Sequence, residues 1–210
     1  MTNKDKSAVV FDKLPPYYIK ENFFGQALVN HLLEHVVENQ TLFETSTVGL
    51  NAGRIDQDIR ISSILRDFGA LKKEIKERFN AVFSEALEQL RMPNFELYGT
   101  EREIVAHANG AFYNRHIDTA TGSSEFSVRV LSAVYYFHAQ PKNFHGGDLR
   151  LLPLRSITDE ANYLDIEPIN DRLLLFPSWV PHQVMPVVSE SVDFKDSRFA
   201  INCWYHKLRV

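Results

Sequence analysis

The spacing of apolar residues changes once along this chain, at Pro93, and that change limits the folds open to it. Before Pro93 the apolar residues recur every three or four positions. After it they fall in short runs separated by turn signals such as Asn109-Gly110. The first spacing is typical of amphipathic helices and the second of strands. We therefore expect two helices packed on the outside of a sheet sandwich.

The two helices are predicted at 22–38 and from about residue 68 to Pro93. In the first, Asn22 is a candidate cap, since asparagine side chains can bind the free amides of a first turn. In the second, a long apolar face opposes a charged one, and Pro93 ends it. The residues expected to face the core of the first helix are Phe24, Leu28, Leu32 and Val36.

Seven or eight short strands are predicted after the helices, and they indicate a double-stranded β-helix, or jelly roll. The fold class is therefore mainly β with flanking helices (α+β). We expect one domain over residues 1–210, with 1–94 as helical support and 95–207 as the core. The strands are expected at 95–108, 111–118, 127–138, 149–152, 170–176, 184–188 and 197–206, with a weaker one or two near 59–65.

The net charge argues against a general nucleic-acid binder, and the cysteine content argues against a disulfide-stabilised protein. The 210 residues carry a net charge of −4 and a single cysteine, Cys203. A general nucleic-acid binder usually has a basic balance, and one cysteine forms no internal disulfide. No apolar run suggests a signal peptide or a membrane span. We expect a soluble cytoplasmic protein that binds neither nucleic acid nor membrane, and the sequence leaves its oligomeric state open.

His116 and Asp118 carry the strongest signal of chemistry. On an extended strand, residues i and i+2 point to the same face, so these two could share a metal with a distant histidine, for which His182 is the candidate. Two histidines and one carboxylate leave one side of the metal open, which favours iron(II) and oxygen chemistry. A chance tripeptide and a buried histidine bonded to a carbonyl are the alternatives. His31 and His35 also have a metal-binding spacing, but a surface position is the better interpretation.

In this setting the chain resembles the iron(II)- and 2-oxoglutarate-dependent dioxygenases, nearest their prolyl-4-hydroxylase-like branch. The resemblance covers roughly residues 95–207 and implies the jelly roll. It also implies iron(II), 2-oxoglutarate and dioxygen as cofactors, with ascorbate as a stimulant. The matching pieces are Tyr113-x-x-His116-x-Asp118, Tyr135-Tyr136, Gly146-Gly147-Asp148-Leu149-Arg150, Leu173-Leu174-Leu175-Phe176-Pro177-Ser178, Pro181-His182-Gln183-Val184-x-Pro186 and Arg198-Phe199-Ala200-Ile201-Asn202-Cys203-Trp204.

The resemblance requires a cation for the far carboxylate of 2-oxoglutarate. Arg198 is the candidate, because a guanidinium grips a carboxylate with two parallel hydrogen bonds. It follows His182 later than is usual in the family, which leaves Lys195 as the alternative. Strand alternation places Arg198, Ala200 and Asn202 on one face and Phe199, Ile201 and Cys203 on the other.

Tyr136 resembles the family tyrosine that reaches the same carboxylate, and Tyr113 occupies a position that often lines the pocket. Together with Asn202 and Arg198 they form the predicted cosubstrate-binding set. Both tyrosines could instead be ordinary aromatic core. Many relatives have a tyrosine where this chain has Ala106-His107, so part of cosubstrate binding is expected to differ. The sequence leaves the roles of three arginines open: Arg54, Arg60 and Arg150.

The resemblance implies hydroxylation of an unactivated C–H bond, with release of succinate and carbon dioxide. The substrate could be an amino acid, a prolyl or other peptide, or a small natural product. Asp118 occupies the iron position that halogenating relatives leave for chloride, which favours hydroxylation. The alternatives are desaturation or cyclisation at the same site, a nucleic-acid demethylase, and a silent sensor that binds metal or 2-oxoglutarate. The intact triad and Arg198 argue against the sensor.

Overall fold

The computed structural model describes residues 14–49, 53–121, 124–154 and 162–209. Within these ranges the protein is mainly β, with two long helices, α1 (Gln26–Glu38) and α2 (Lys72–Gln89), and a single helical turn, α3 (Asp118–Thr121). The strands are β1 (Tyr18–Lys20), β2 (Glu44–Thr45), β3 (Arg60–Ile61), β4 (Ser63–Leu65), β5 (Gly99–His107), β6 (Phe112–His116), β7 (Ser127–Phe137), β8 (His145–Gly146), β9 (Leu149–Leu151), β10 (Leu164–Ile166), β11 (Arg172–Pro177), β12 (His182–Val184), β13 (Val187–Val188) and β14 (Arg198–Leu208).

The strands form two main antiparallel sheets. The large sheet has the order β1-β11-β7-β14-β5-β4-β2, and the small sheet has the order β10-β9-β12-β6-β3. A separate pair, β13-β8, lies outside both. Strands distant in sequence are neighbours in both sheets, so each sheet depends on long-range pairing.

The helices pack on one face of the large sheet, as the periodicity predicts. Leu32 of α1 and Phe79 of α2 are fully buried in one apolar cluster with Tyr135 of β7. The predicted apolar stripe of α1 is buried along its whole length. Within the described ranges, no helix combines the length and the apolar character that a bilayer span requires.

The other face of the large sheet meets the small sheet over a second, smaller cluster. Tyr136 and Ala200 belong to this cluster, whereas their neighbours Tyr135 and Ile201 belong to the helix-facing one. Successive side chains of a strand point to opposite faces, and this alternation separates the two clusters. The predicted division of the last strand, with Ala200 on one face and Ile201 on the other, is confirmed.

Helix α1 begins four residues later than predicted, at Gln26, so the prediction of Asn22 as its cap was wrong. The residue before α1 is Gly25, with φ 84°, which has no side chain that could cap the helix. The carboxylate of Asp171 binds there instead, accepting the backbone N–H groups of Phe24 and Gly25 at 2.8 Å each. A residue far along the chain therefore satisfies amides that a local cap would have bound.

The strand predicted at 111–118 is also shorter than expected. Strand β6 ends at His116, and Asp118 opens the helical turn α3. The backbone N–H groups of Asp118 and Thr119 donate to the carbonyl oxygen of Ser178, at 3.0 and 3.1 Å, which draws the chain out of the sheet. The strand predicted at 184–188 is divided into β12 and β13.

Candidate active site

His116, Asp118 and His182 lie together at the inner surface of the small sheet. His116 on β6 and His182 on β12 are directly opposite each other in the antiparallel register. The Nε2 atoms of His116 and His182 lie 3.7 and 3.6 Å from the two carboxylate oxygens of Asp118. One ligand atom from each residue falls within 4.8 Å of the other two, which is a spacing that a single metal ion can bridge.

Both imidazoles are held with Nε2 toward this common point. The Nδ1 of His116 contacts the carbonyl oxygen of Asn114 at 2.9 Å, and the Nδ1 of His182 contacts that of Val180 at the same distance. A carbonyl only accepts, so each Nδ1 carries the hydrogen and each Nε2 keeps a lone pair for a metal. Burial, aided by the nearby His182, lowers the pKa of His116 to about 3.

Asp118 is fixed by two serines that the sequence analysis missed. The hydroxyl of Ser132 on β7 donates to Oδ2 of Asp118 at 2.7 Å and lies 2.8 Å from the hydroxyl of Ser178. Burial alone would raise the pKa of Asp118, but the electrostatic influence of the neighbouring His182, His116 and Arg129 and the bond from Ser132 hold it below its usual value. The carboxylate is therefore ionised and oriented for a metal.

A cavity of about 370 Å³ contains the three residues and extends to Arg198 on β14. Arg198 is 1% exposed. Its Nε donates to the carbonyl oxygen of Gly147 at 2.8 Å, and its Nη1 contacts Nδ1 of His107 at 3.4 Å. A Cβ on Gly147 would lie 3.0 Å from Cδ of Arg198, so a side chain there would crowd the guanidinium.

The guanidinium of Arg198 is not compensated by the described protein. Its Nη2 is buried and has no hydrogen-bond partner among the described residues, and no described carboxylate forms an ion pair with it. Burial accordingly lowers the pKa of Arg198. A buried cation with a free N–H is costly unless an anion joins it, so this end of the cavity suits the carboxylate of a ligand.

The remaining predicted residues are close by. The guanidinium of Arg198 lies 4.9 Å from the ring centre of Tyr136, whose buried hydroxyl has no described partner. Burial raises the pKa of Tyr136 to about 12, so its hydroxyl stays a donor. Tyr113 and Asn202 line the cavity, and the ring of Tyr113 stacks on His116 with centres 3.7 Å apart.

Comparison with known proteins places this geometry in a family. Residues 103–206 match the 2OG-Fe(II) oxygenase superfamily. An uncharacterized PKHD-type hydroxylase from Synechocystis is 32% identical over 191 residues, which are 89% of this chain and 62% of the relative. The chain belongs to the 2OG-Fe(II) oxygenase superfamily.

Two solved oxygenases show the same fold. A prolyl-4-hydroxylase from Pseudomonas putida superposes with a TM-score of 0.66 at 22% identity, covering 92% of this chain and 93% of that one. A prolyl hydroxylase in complex with a hypoxia-inducible-factor peptide fragment from Trichoplax adhaerens superposes with a TM-score of 0.65 at 25% identity. That match covers 90% of this chain and 82% of the other.

Iron(II), 2-oxoglutarate and dioxygen are the cofactors of this superfamily, and the described residues fit them. The donor set of two oriented imidazoles and one ionised carboxylate suits iron(II). The uncompensated guanidinium of Arg198 suits the far carboxylate of 2-oxoglutarate. Both groups of residues face one cavity, as an oxygenase site requires.

Several candidate residues from the sequence lie away from this oxygenase cavity. Lys195 is largely exposed and pairs with Asp193 at 3.1 Å, so its ammonium does not compete with Arg198. Arg54 is 75% exposed and pairs with Asp56. Arg150 pairs with Asp165 at 2.7 Å and stacks on Tyr163. Neither His31 nor His35 belongs to the metal-binding cluster found among the described residues.

Arg60 does reach the cavity, together with charged residues that the sequence analysis missed. Arg66, Glu101, Glu103 and Arg129 form its outer wall with Trp204. The signal for Arg129 was present, since an arginine interrupts the apolar run of β7. Its guanidinium stacks on Trp204 at 3.7 Å and donates to Glu101 at 2.6 Å. His107 was noted in the sequence only as part of a departure from the family tyrosine, and its place opposite Arg198 follows from the pairing of β5 with β14.

Proposed function

We propose that the protein is an iron(II)- and 2-oxoglutarate-dependent hydroxylase that converts an unactivated C–H bond into C–OH and releases succinate and carbon dioxide. One observation supports this above all others. The metal-binding triad and a buried arginine with an unpartnered N–H face the same cavity. A metal-binding barrel without turnover has no need for both groups in one space.

We also propose that the two sheets form a double-stranded β-helix and that residues 1–210 make up one domain. The opposed sheets, with a small apolar cluster between them, support this architecture. The fit to the Pseudomonas putida prolyl-4-hydroxylase over 92% of the chain supports it too. In this arrangement the two helices that precede residue 95 brace the large sheet, and residues 95–207 contribute the metal ligands and the cosubstrate-binding residues.

The roles proposed for the metal ligands follow from their surroundings. Iron(II) bound by His116, Asp118 and His182 would activate dioxygen at its open side, with 2-oxoglutarate as the electron donor. The Nδ1 hydrogen bonds keep both imidazoles in the tautomer that binds metal. Ser132 holds the carboxylate of Asp118 in place. Asp118 and His182 are buried and the side chain of His116 is 12% exposed, which limits the access of water to the reacting atoms.

Three donors would bind the far carboxylate of 2-oxoglutarate: Nη2 of Arg198, the hydroxyl of Tyr136 and Nε2 of His107. All three atoms are buried and lack a described partner. The guanidinium can only donate, so Nδ1 of His107 accepts from it and the hydrogen of the neutral ring lies on Nε2. Burial, then the charges of Arg198 and Arg60, keep the pKa of His107 well below its usual value. His107 thus offers an N–H donor in place of the O–H donor of the tyrosine that many relatives have at this point of the chain.

A peptide or a small molecule is the proposed partner class. The Trichoplax adhaerens structure holds a peptide fragment, and the Pseudomonas putida protein is a prolyl-4-hydroxylase. Desaturation or cyclisation by the same oxidant is the alternative outcome. A carboxylate ligand at Asp118, in place of an open halide position, favours hydroxylation.

The experiment that tests the proposal is a turnover screen of the iron-loaded protein with 2-oxoglutarate against amino acids, peptides and small metabolites. Mass spectrometry should find succinate together with a product that has gained one oxygen. His116→Ala provides the matched inactive protein. The contrary outcome is that the iron-loaded protein binds 2-oxoglutarate but forms no succinate above the His116→Ala background, with any compound or without substrate. That outcome would identify a sensor instead.

A further inference from the structure

The outer wall of the cavity carries an unbalanced positive charge close to the metal site. Arg60 and Tyr113 are opposite each other on β3 and β6. The guanidinium of Arg60 lies 4.8 Å from the ring centre of Tyr113, and that ring stacks on His116. One aromatic ring therefore separates the guanidinium from a metal ligand. A small molecule could touch both.

Arg60 is poorly satisfied for a cation that is only 11% exposed. Among the described residues its short hydrogen bond is from Nε to the hydroxyl of Ser62 at 2.9 Å. Its contact with Glu103 is 3.5 Å, and Glu103 is also 3.6 Å from Arg66. These separations exceed the 2.7–2.9 Å typical of charge-assisted hydrogen bonds. One buried carboxylate thus lies between two guanidinium groups without a close bond to either.

On the other side of the wall, the charge of Arg129 is balanced by that of Glu101. Arg129 donates to a single carboxylate oxygen of Glu101 at 2.6 and 3.2 Å. His206 lies 3.6 Å from that same oxygen. This pair is close and complete. On the other side the contacts are longer, since Glu103 is shared between Arg60 and Arg66, and Arg66 also lies 4.0 Å from the exposed Glu44. The cation that lacks a close partner is therefore the mostly buried Arg60.

A count of the charged residues that line the whole cavity also indicates an excess of positive charge. The described residues that line it include four arginines and three carboxylates. The two positive charges of iron(II) are cancelled by the two negative charges of 2-oxoglutarate. Among the lining residues one positive charge remains. Glu44, which is largely exposed and lies 4.0 Å from Arg66, compensates Arg66 from outside the lining, so the mostly buried Arg60 is left for a substrate that brings a negative charge. A mostly buried charge such as that of Arg60 is costly when it has no close partner.

We infer that the substrate carries a free carboxylate, which Arg60, supported by Arg66, binds while the C–H bond to be oxidised lies beside the metal. The class is that of small carboxylic acids, including N-blocked amino acids and peptides whose reacting residue is C-terminal. An internal residue of a longer peptide lacks this group. The inference rests on the proposed hydroxylase function and names the substrate of that same site.

The test compares acids with their neutral counterparts. A panel of N-acetyl amino acids and the matching N-acetyl amino acid amides is offered to the iron-loaded protein, and succinate and the oxygenated product are measured. We expect product from one or more acids. The kcat/KM of the matching amide should be at least tenfold lower than that of the acid, since a hydrogen bond to a charged group contributes roughly that factor or more. Equal turnover of acid and amide, or turnover of amides alone, would overturn the inference while leaving the hydroxylase function in place.

A variant series locates the effect. Arg60→Gln/Glu103→Gln removes the cation without leaving a buried carboxylate behind, and KM for the acid should rise roughly tenfold or more while KM for 2-oxoglutarate stays unchanged. Arg54→Gln, on an exposed arginine outside the cavity, is the matched control. An unchanged KM for the acid in the double variant would refute the role of Arg60.

Binding alone gives a second readout. Zinc-loaded protein with 2-oxoglutarate cannot turn over, and calorimetry should show the acid binding to it and the amide binding at least tenfold more weakly. Loss of the acid's heat signal in the double variant would support the inference. Equal affinity for acid and amide would refute it. If the protein never consumes 2-oxoglutarate, with or without substrate, the proposed hydroxylase function fails. That outcome differs from a failure of carboxylate selection, in which 2-oxoglutarate is still consumed.

Discussion

Asp171 and Arg198 are buried charged side chains on opposite faces of the large sheet, and they differ in how completely the protein satisfies their hydrogen bonds. Asp171 accepts the N–H groups of Phe24 and Gly25 and the hydroxyl of Tyr135, all at 2.8–2.9 Å. Arg198 makes one short bond, to Gly147, and leaves Nη2 without a described partner. Both residues are at most 6% exposed. A buried charge costs free energy unless it is hydrogen-bonded, so the protein satisfies the first internally and leaves the second to a ligand.

This contrast separates folding from function along one sheet. The face toward the helices uses its buried charge to secure the start of α1, and the face toward the small sheet keeps donors for a cosubstrate. Substitutions on the first face should change stability and leave ligand binding intact. Substitutions on the second face should do the reverse. Each prediction below tests one side of that division.

The largest effect is expected at the metal ligands. Asp118→Ala or His116→Ala should abolish metal binding and turnover in a protein that still folds. The loss should exceed the roughly 10- to 100-fold cost typical of removing a hydrogen-bond partner of a metal ligand. Bound iron, succinate formation and the melting temperature are the measurements. His31→Ala, on the exposed face of α1, is the matched control, and near-normal turnover by either ligand variant would show that the wrong ligands were chosen.

On the helix-facing side, Asp171→Ala should destabilise the fold by about 3 kcal/mol or more, because it leaves buried N–H and O–H donors without their charged acceptor. Urea unfolding measures the change. KM for 2-oxoglutarate should stay within about twofold of the parent, since the carboxylate does not face the cavity. Asp165→Ala, which breaks a more exposed pair with Arg150, should cost less than about 1 kcal/mol. A large rise in KM would break the proposed division.

The sequence predicted the features that depend on periodicity or on short motifs. The apolar stripes of both helices and the alternation along β14 follow from spacing. The pair His116 and Asp118 follows from a short motif, and His182 from the family resemblance. The features it missed depend on contacts between distant residues. Asp171 binds an amide 147 positions away, and Ser132 reaches Asp118 only because β7 runs beneath α3. Since no local pattern encodes such a partner, the start of α1 and the end of β6 were predicted wrongly.

Arg198→Gln tests the face of the large sheet toward the small sheet, where the buried charge has no described salt-bridge partner. It should raise KM for 2-oxoglutarate roughly 100-fold, because the side chain loses a charged, two-bond grip on the far carboxylate. The melting temperature should stay the same or rise, since the variant removes a buried charge that the folded protein does not satisfy. Lys195→Gln is the control and should leave both values unchanged. Lower stability with unchanged KM would assign Arg198 a folding role like that of Asp171.

The smallest effect is expected at His107, where the comparison can be sharpened to a single hydrogen bond. His107→Phe keeps an aromatic ring but removes the Nε2 donor, and KM for 2-oxoglutarate should rise about tenfold, the value of one bond to a charged acceptor. His107→Tyr places a donor at the position where many relatives have tyrosine, and it should recover most of the affinity. Calorimetry with zinc-loaded protein measures the same difference without turnover. If phenylalanine and tyrosine behaved alike, the unpartnered nitrogen of His107 would have no part in binding the cosubstrate, and the site would depend on Arg198 and Tyr136.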